Sequence, residues 1–230
     1  MKKFKCLLTA MLLGCSTMSF AQFMNGGGGK SFSSSTSEVA EWKGLRLSYD
    51  HTFVNVDAKG ADPEDYNGFT LGYVQSFQIA KKLPIFFETG LGLNFARCSW
   101  DNNDIYEQDE YTTTTLGLTV PLNFAYGVKI NDALALKPYT GFYLRVNLMS
   151  KTKNEYIDSY GDEDSEDWNN FDKDDVGKDA TWNRCQFGWQ IGATLDINKF
   201  NIGIGYALDF NEIAEKTKLG IFSARVGYNF

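Results

Sequence analysis

The chain has 230 residues, a formal net charge of −7, 15% aromatic residues, 22 glycines and 4 prolines. The acidic balance argues against nucleic acid as a partner, and the aromatic, proline-poor composition suits one all-β domain and not a disordered chain. Beyond the N-terminus no apolar run is long enough for a transmembrane helix, which leaves open a span made of short alternating strands.

Residues 1–21 read as an export signal. Lys2, Lys3 and Lys5 precede a short apolar core from Cys6 to Cys15, and the small residues Ser19 and Ala21 set a cleavage site before Gln22. A second reading stays open: Leu12, Leu13, Gly14 and Cys15 are similar to a lipoprotein processing box, which would lipidate Cys15. Residues 22–40 form a Gly/Ser-rich linker without apolar periodicity, and residues 41–230 form the folded domain.

Eight strands follow in order, each with one apolar and one polar face, because successive strand side chains point to opposite sides. The first, near 42–53, sets Leu45, Leu47 and Tyr49 against Arg46, Ser48 and Asp50. The second, near 68–79, sets Phe69, Leu71 and Tyr73 against Thr70, Gly72 and Ser76. The third, near 85–100, opposes Phe87, Leu91, Leu93 and Phe95 to Glu88, Gly90, Gly92 and Asn94. An acidic loop at 101–110 precedes the fourth, near 111–126, with Leu116, Leu118, Val120, Leu122 and Phe124 on its apolar side. The fifth, 134–148, has the cleanest alternation: Leu134, Leu136, Phe142, Leu144, Val146 and Leu148 against Lys137, Tyr139, Gly141, Tyr143, Arg145 and Asn147. A long acidic loop at 149–184 leads to the sixth, near 185–197, and a tight Asn198–Lys199 turn to the seventh, near 200–210. The eighth carries Phe222, Ala224, Val226, Tyr228 and Phe230 to the end of the chain. Cys98 falls on a polar face and Cys185 on an apolar one, so two free thiols are expected rather than a disulfide.

The connections alternate long, short, long, short, long, short, medium. Short turns on the periplasmic side and long loops outside are the asymmetry of an outer-membrane barrel with both ends in the periplasm. The polar face decides which side meets lipid. A water-facing set is rich in Lys and Glu; here it is mostly Gly, Thr, Asn and Ala, which suits a narrow interior. The expected fold is therefore an eight-stranded antiparallel up-and-down transmembrane β-barrel, monomeric, with outer-membrane lipid around it. The charges Arg46, Asp50, Glu88, Lys137, Arg145, Asp196, Asp209 and Arg225 then point inward, where they must pair to be tolerated. An ion-pair network with Glu88 as one centre would plug the barrel; the other reading is a charged constriction in a pore.

The SFAQ cleavage site, TVPLNFAYGV in the fourth strand, KPYTGFYLRV in the fifth and the terminal VGYNF resemble the small OmpA-like and PorT-like outer-membrane barrels of Bacteroidetes. The resemblance covers roughly residues 40–230 and implies an integral outer-membrane barrel without a common catalytic residue. It also implies that Phe230 is the terminal aromatic read by the outer-membrane assembly machinery.

Candidates for chemistry are few. His51 is the single histidine, so Ser–His or Cys–His catalysis on lipid would have to use it, but no nucleophile motif accompanies it. The long acidic loop offers Asp162, Asp164, Asp172, Asp174 and Asp175 as loose cation ligands. Asp172, Asp174 and Gly177 match part of a calcium loop, but Val176 and Asn183 stand at two ligand positions, so no specific metal and no cofactor is expected. Charges this dense should keep the loop extended and solvated. Tyr156, Tyr160, Trp168, Phe171 and Trp182 interrupt the acids and would either anchor a cell-surface protein partner or fold over the barrel mouth. The leading function is structural or surface interaction through acidic outer loops; the alternatives are a narrow channel or carrier for small solutes, and a lipid-directed enzyme using His51.

Overall fold

Alternating residues pair into strands because each face then meets one kind of solvent. The computed structural model describes residues 39–57, 63–80, 83–103, 108–157 and 163–230. The export signal, most of the linker and Asp162 lie outside them. Along the chain run β1 (Lys43–Val56), β2 (Tyr66–Gln78), β3 (Ile85–Asn103), β4 (Gln108–Tyr126), β5 (Val128–Lys129), β6 (Leu134–Ile157), β7 (Glu163–Asn169), the one-turn helix α1 (Lys173–Val176), β8 (Cys185–Ile197), β9 (Phe200–Asp209) and β10 (Thr217–Asn229). The hydrogen-bonded order β4–β3–β2–β1–β10–β9–β8–β6 is closed by antiparallel pairing of β4 with β6. Eight strands thus form a closed antiparallel barrel, and β5 and β7 each pair with β6 beside the ring. First and last strands meet with Leu45 opposite Tyr228 and Asp50 opposite Ser223.

Burial is inverted relative to a water-soluble protein. Phe69, Leu71, Phe200 and Ile204 are each more than half exposed, whereas Asn123 and Gln186 are 1% exposed and Arg145 5%. Apolar side chains left outside and polar ones buried mean that the outer surface meets hydrocarbon. Aromatic pairs sit on that surface toward its two edges: Tyr49 on Phe69 at 5.6 Å and Phe187 on Phe210 at 5.3 Å at the loop end, Phe200 on Tyr228 at 5.3 Å and Tyr73 on Phe230 at 6.4 Å at the turn end. The interior glycines make room for long side chains. A Cβ on Gly188 would stand 2.5 Å from the Tyr143 hydroxyl, one on Gly205 2.7 Å from Arg225 Nη2, and one on Gly227 2.6 Å from Arg46 Cδ.

Three elements run beyond their expected ends. The segment at 101–110, expected as a loop, is paired from Asp101 opposite Glu110 to Asn103 opposite Gln108. Strand β6, expected to stop at Leu148, continues to Ile157 against both β4 and β7. The acidic loop is therefore not an extended solvated tether: it carries β7 and α1. Pairing satisfies its backbone, and Lys151 bonded to Asp167 at 3.3 Å offsets part of its charge. Leu148 is an extra residue in β6, because Asn147 pairs with Gly117 while Met149 pairs with Leu116. Such a bulge resets the alternation: Arg145 and Asn147 point inward below it, and Ser150 and Thr152 point inward above it.

Candidate functional site

The lumen is filled in layers. At the turn end Trp42, Val74, Phe86, Ala125 and Tyr139 form an apolar cluster inside the barrel. Lys137 Nζ lies 3.6 Å from the Trp42 ring centroid and is ion-paired with Asp196. Asp196 also accepts from Asn229 Nδ2 at 3.1 Å, and Asn229 Oδ1 accepts from Arg46 Nη2 at 2.8 Å. Glu88 stands apart from this chain. Its carboxylate accepts from Trp42 Nε1 at 2.7 Å and Asn123 Nδ2 at 3.2 Å, and among the described residues it has no ion-pair contact. At the loop end Asp209 accepts from the Tyr143 hydroxyl and from Arg145 Nη2 at 2.8 Å, with the Arg145 and Asp209 side chains 5% and 0% exposed. Asn147 Nδ2 donates to Gln186 Oε1 at 2.6 Å beside it.

Between these layers lies a cavity of about 150 Å³, lined by Arg46, Ser48, Asp50, Thr70, Arg145 and Arg225 among others. Thr70 donates to Asp50 Oδ2, while Asp50 Oδ1 and Arg225 Nε have no hydrogen-bond partner among the described residues. The cavity is large enough to admit water beside those polar atoms. Arg225 lies 5.1 Å from the Tyr139 ring centroid. All eight charges named from the sequence thus sit in the lumen, two pairs of them in direct ion contact.

Trp42, which sequence reasoning placed only at a strand start, is the aromatic centre of the lower layer. Its number gave the signal: it shares parity with Arg46, Ser48 and Asp50, so it shares their inward face.

Beyond the apolar band β3, β4, β6 and β7 continue as one outer sheet. Within β3 the band ends at Phe95, and the next outward residues are Arg97 and Ser99. The inward side of the sheet carries Trp100 stacked on Tyr111 at 5.3 Å and 7°, with Trp168 edge-on to Tyr111 at 6.3 Å. Tyr156 donates to Asp164 Oδ2 at 3.4 Å on the same side. The outward side carries the ion pairs Lys151–Asp167 and Lys153–Glu155 at 3.3 and 2.7 Å. Nearer the barrel, Thr113 and Thr152 hydroxyls meet at 2.7 Å and Asn170 bridges Thr152 and Ser150. Burial, and then Asp109, raises the Tyr111 hydroxyl pKa.

The other candidate residues stand alone. His51 is at the outer rim, its Nε2 3.3 Å from Asp65 Oδ2 and its Nδ1 2.9 Å from Asn67 Oδ1; neither contact is a serine or a cysteine. Asp172 caps α1 by accepting from the Asp174 N–H at 3.0 Å, and Asp175 accepts from the Asn169 N–H at 2.8 Å. Among the described residues no three His, Cys, Asp or Glu side chains converge on a metal position. Cys98 and Cys185 are both free thiols. Phe230 is exposed at the turn end, its N–H bonded to the Lys43 carbonyl at 3.1 Å.

The sequence matches the family described as outer membrane protein beta-barrel domain over residues 25–215. No curated protein matches. Among solved structures, Ail, the attachment invasion locus protein of Yersinia pestis, is 15% identical with a TM-score of 0.41, covering 84% of this chain and 100% of its own. Neisserial surface protein A is 11% identical with a TM-score of 0.35, covering 81% and 97%. The N-terminal beta-barrel domain of Pseudomonas aeruginosa OprF is 12% identical with a TM-score of 0.29, covering 83% and 100%.

Proposed function

Because this chain belongs to the outer membrane protein beta-barrel domain family, and so to the bacterial outer membrane, we propose that it is a closed, non-catalytic barrel that presents an outer sheet to partners. The observation that carries this reading is the continuation of β3, β4, β6 and β7 past the apolar band as a paired, two-faced sheet. A loop that only joined strands would not need seventeen rungs of β3–β4 pairing, which run as far as Asn103 opposite Gln108. The lumen, packed by Trp42 and Lys137 below and by Tyr143, Arg145 and Asp209 above, supports a closed barrel. The second reading, a narrow channel, draws on the cavity between those layers.

Planar-bilayer recording separates the two. The closed reading expects a flat baseline at all voltages, and stepwise openings sink it. Replacing 153–167 with a tight turn tests the outer sheet: assembly should persist, seen as different gel migration of boiled and unboiled protein, while surface attachment of cells is lost. Residues 1–21 act in this reading as a cleaved export signal, and a mature mass beginning at Gln22 checks it.

A further inference from the structure

Both faces of the outer sheet carry carboxylates without an ion pair among the described residues, Asp101, Glu110 and Glu163 on the outward one, but only the inward face sets them beside aromatic rings. On the outward face each lysine of upper β6 has a carboxylate: Lys151 meets Asp167 at 3.3 Å and Lys153 meets Glu155 at 2.7 Å. On the inward face Asp109, Asp164 and Glu166 have no ion pair among the described residues, and Asp164 accepts only neutral donors, the Ser165 N–H at 2.7 Å and the Tyr156 hydroxyl at 3.4 Å. Register places all three there, since Asp109 pairs with Tyr156, Tyr156 with Asp164, and Glu166 with Asn154. Trp100, Tyr111 and Trp168 lie half-buried on that same face, Trp100 stacked on Tyr111 and Trp168 edge-on to it.

Uncompensated carboxylates beside aromatic faces select a particular cation. A bare metal ion needs oxygen ligands that converge, and among the described residues none do. A guanidinium or ammonium group is satisfied by a ring face and a carboxylate together. The acids are also spaced for more than one such group. Asp164 and Glu166 are alternate residues of β7, about 7 Å apart along the strand, which is the spacing of alternate side chains in an extended peptide.

We infer that the inward face of the outer sheet binds a basic, arginine-rich polypeptide segment, seating its cations between Trp100, Tyr111 and Trp168 and the carboxylates Asp109, Asp164 and Glu166. The inference rests on reading the sheet as an interaction surface and names the chemistry of the partner.

The test uses the full mature chain in lipid nanodiscs and a fluorescent nona-arginine peptide, read by anisotropy at about 0.15 M salt to limit unspecific attraction. Wild type should bind saturably. Asp109→Asn with Glu166→Gln should weaken binding about tenfold, and Trp168→Leu by a similar factor. Glu155→Gln with Asp167→Asn removes the same charge from the other face and should change binding less than about twofold. Equal weakening by the two double variants, an unchanged Trp168→Leu, or no saturable binding overturns the inference. Gel mobility of unboiled samples checks assembly, and Trp100→Leu replaces Trp168→Leu if that variant fails to assemble. If nona-arginine does not bind but replacing 153–167 still abolishes cell attachment, the cationic partner falls and the interaction surface stands. If that replacement changes nothing, the surface reading itself falls.

Discussion

Arg145 and Asp209 show what single residues contribute to this barrel. Both side chains are almost fully buried, and their 2.8 Å contact is supplemented by the Tyr143 hydroxyl. Arg145→Met would leave the carboxylate uncompensated in the lumen, and breaking one side of such a pair costs about 3–5 kcal/mol. Urea unfolding in detergent micelles measures this; adding Asp209→Leu to Arg145→Met should recover much of the loss, because the orphan charge is then gone. Cys98 is a second case, above the membrane on β3. Burial pushes its thiol up to about 11, and Glu64 and Asp65 add to the shift. The fold therefore favours the protonated thiol. Stability linked to it is intact below the usual thiol value near 9 and is lost as pH rises toward 11. Wild type should lose urea resistance across that window more steeply than Cys98→Ala, and iodoacetamide should label Cys98 slowly at pH 8.

The elements differ in how openly the sequence announces them. Wherever a strand crosses lipid its two faces meet unlike surroundings, and Leu45, Leu47 and Tyr49 against Arg46, Ser48 and Asp50 spell that out. Upper β6 is Met149–Ile157, a stretch whose faces both leave the hydrocarbon, so the apolar beat vanishes although pairing continues. The remaining signal was the run Thr112–Thr115 and the Tyr156–Ile157 pair, β-favouring residues without periodicity. The lumen was legible as a set of inward residues but not as partners, since alternation fixes the face of Glu88 and says nothing about Trp42 reaching it across 46 positions. The bulge was equally hidden. Deleting Leu148 should straighten β6 and keep Lys151 and Lys153 outward and Thr152 inward, since Asn147 and Met149 already pair with the adjacent residues Gly117 and Leu116. Hydrogen exchange should then show protection kept at 150–157, with boiled and unboiled samples still migrating apart; lost protection there would mean that the upper pairing needs the bulge.

At the scale of the molecule the barrel has no edge, because β1 is paired to β10 along its length. Deleting Phe230 removes the ring that stacks on Tyr73 and the N–H bonded to Lys43. Assembly in cells should fall markedly while refolding in detergent is spared, read as the heat-modifiable fraction in each; equal loss in both would make Phe230 a packing residue only. The β1–β10 seam also sets a clock. Gly44 waits for Asn229, 185 positions later, whereas hairpins such as β8–β9 close across two residues. Closing so distant a contact is slow, since its entropy must be lost before any bond is formed. Until the last strand arrives, β1 and its counterpart are two exposed ribs of unpaired amides, ready to join any neighbouring chain. The interval between synthesis and closure is therefore when this protein is most exposed to misassembly, and an escort would matter most then.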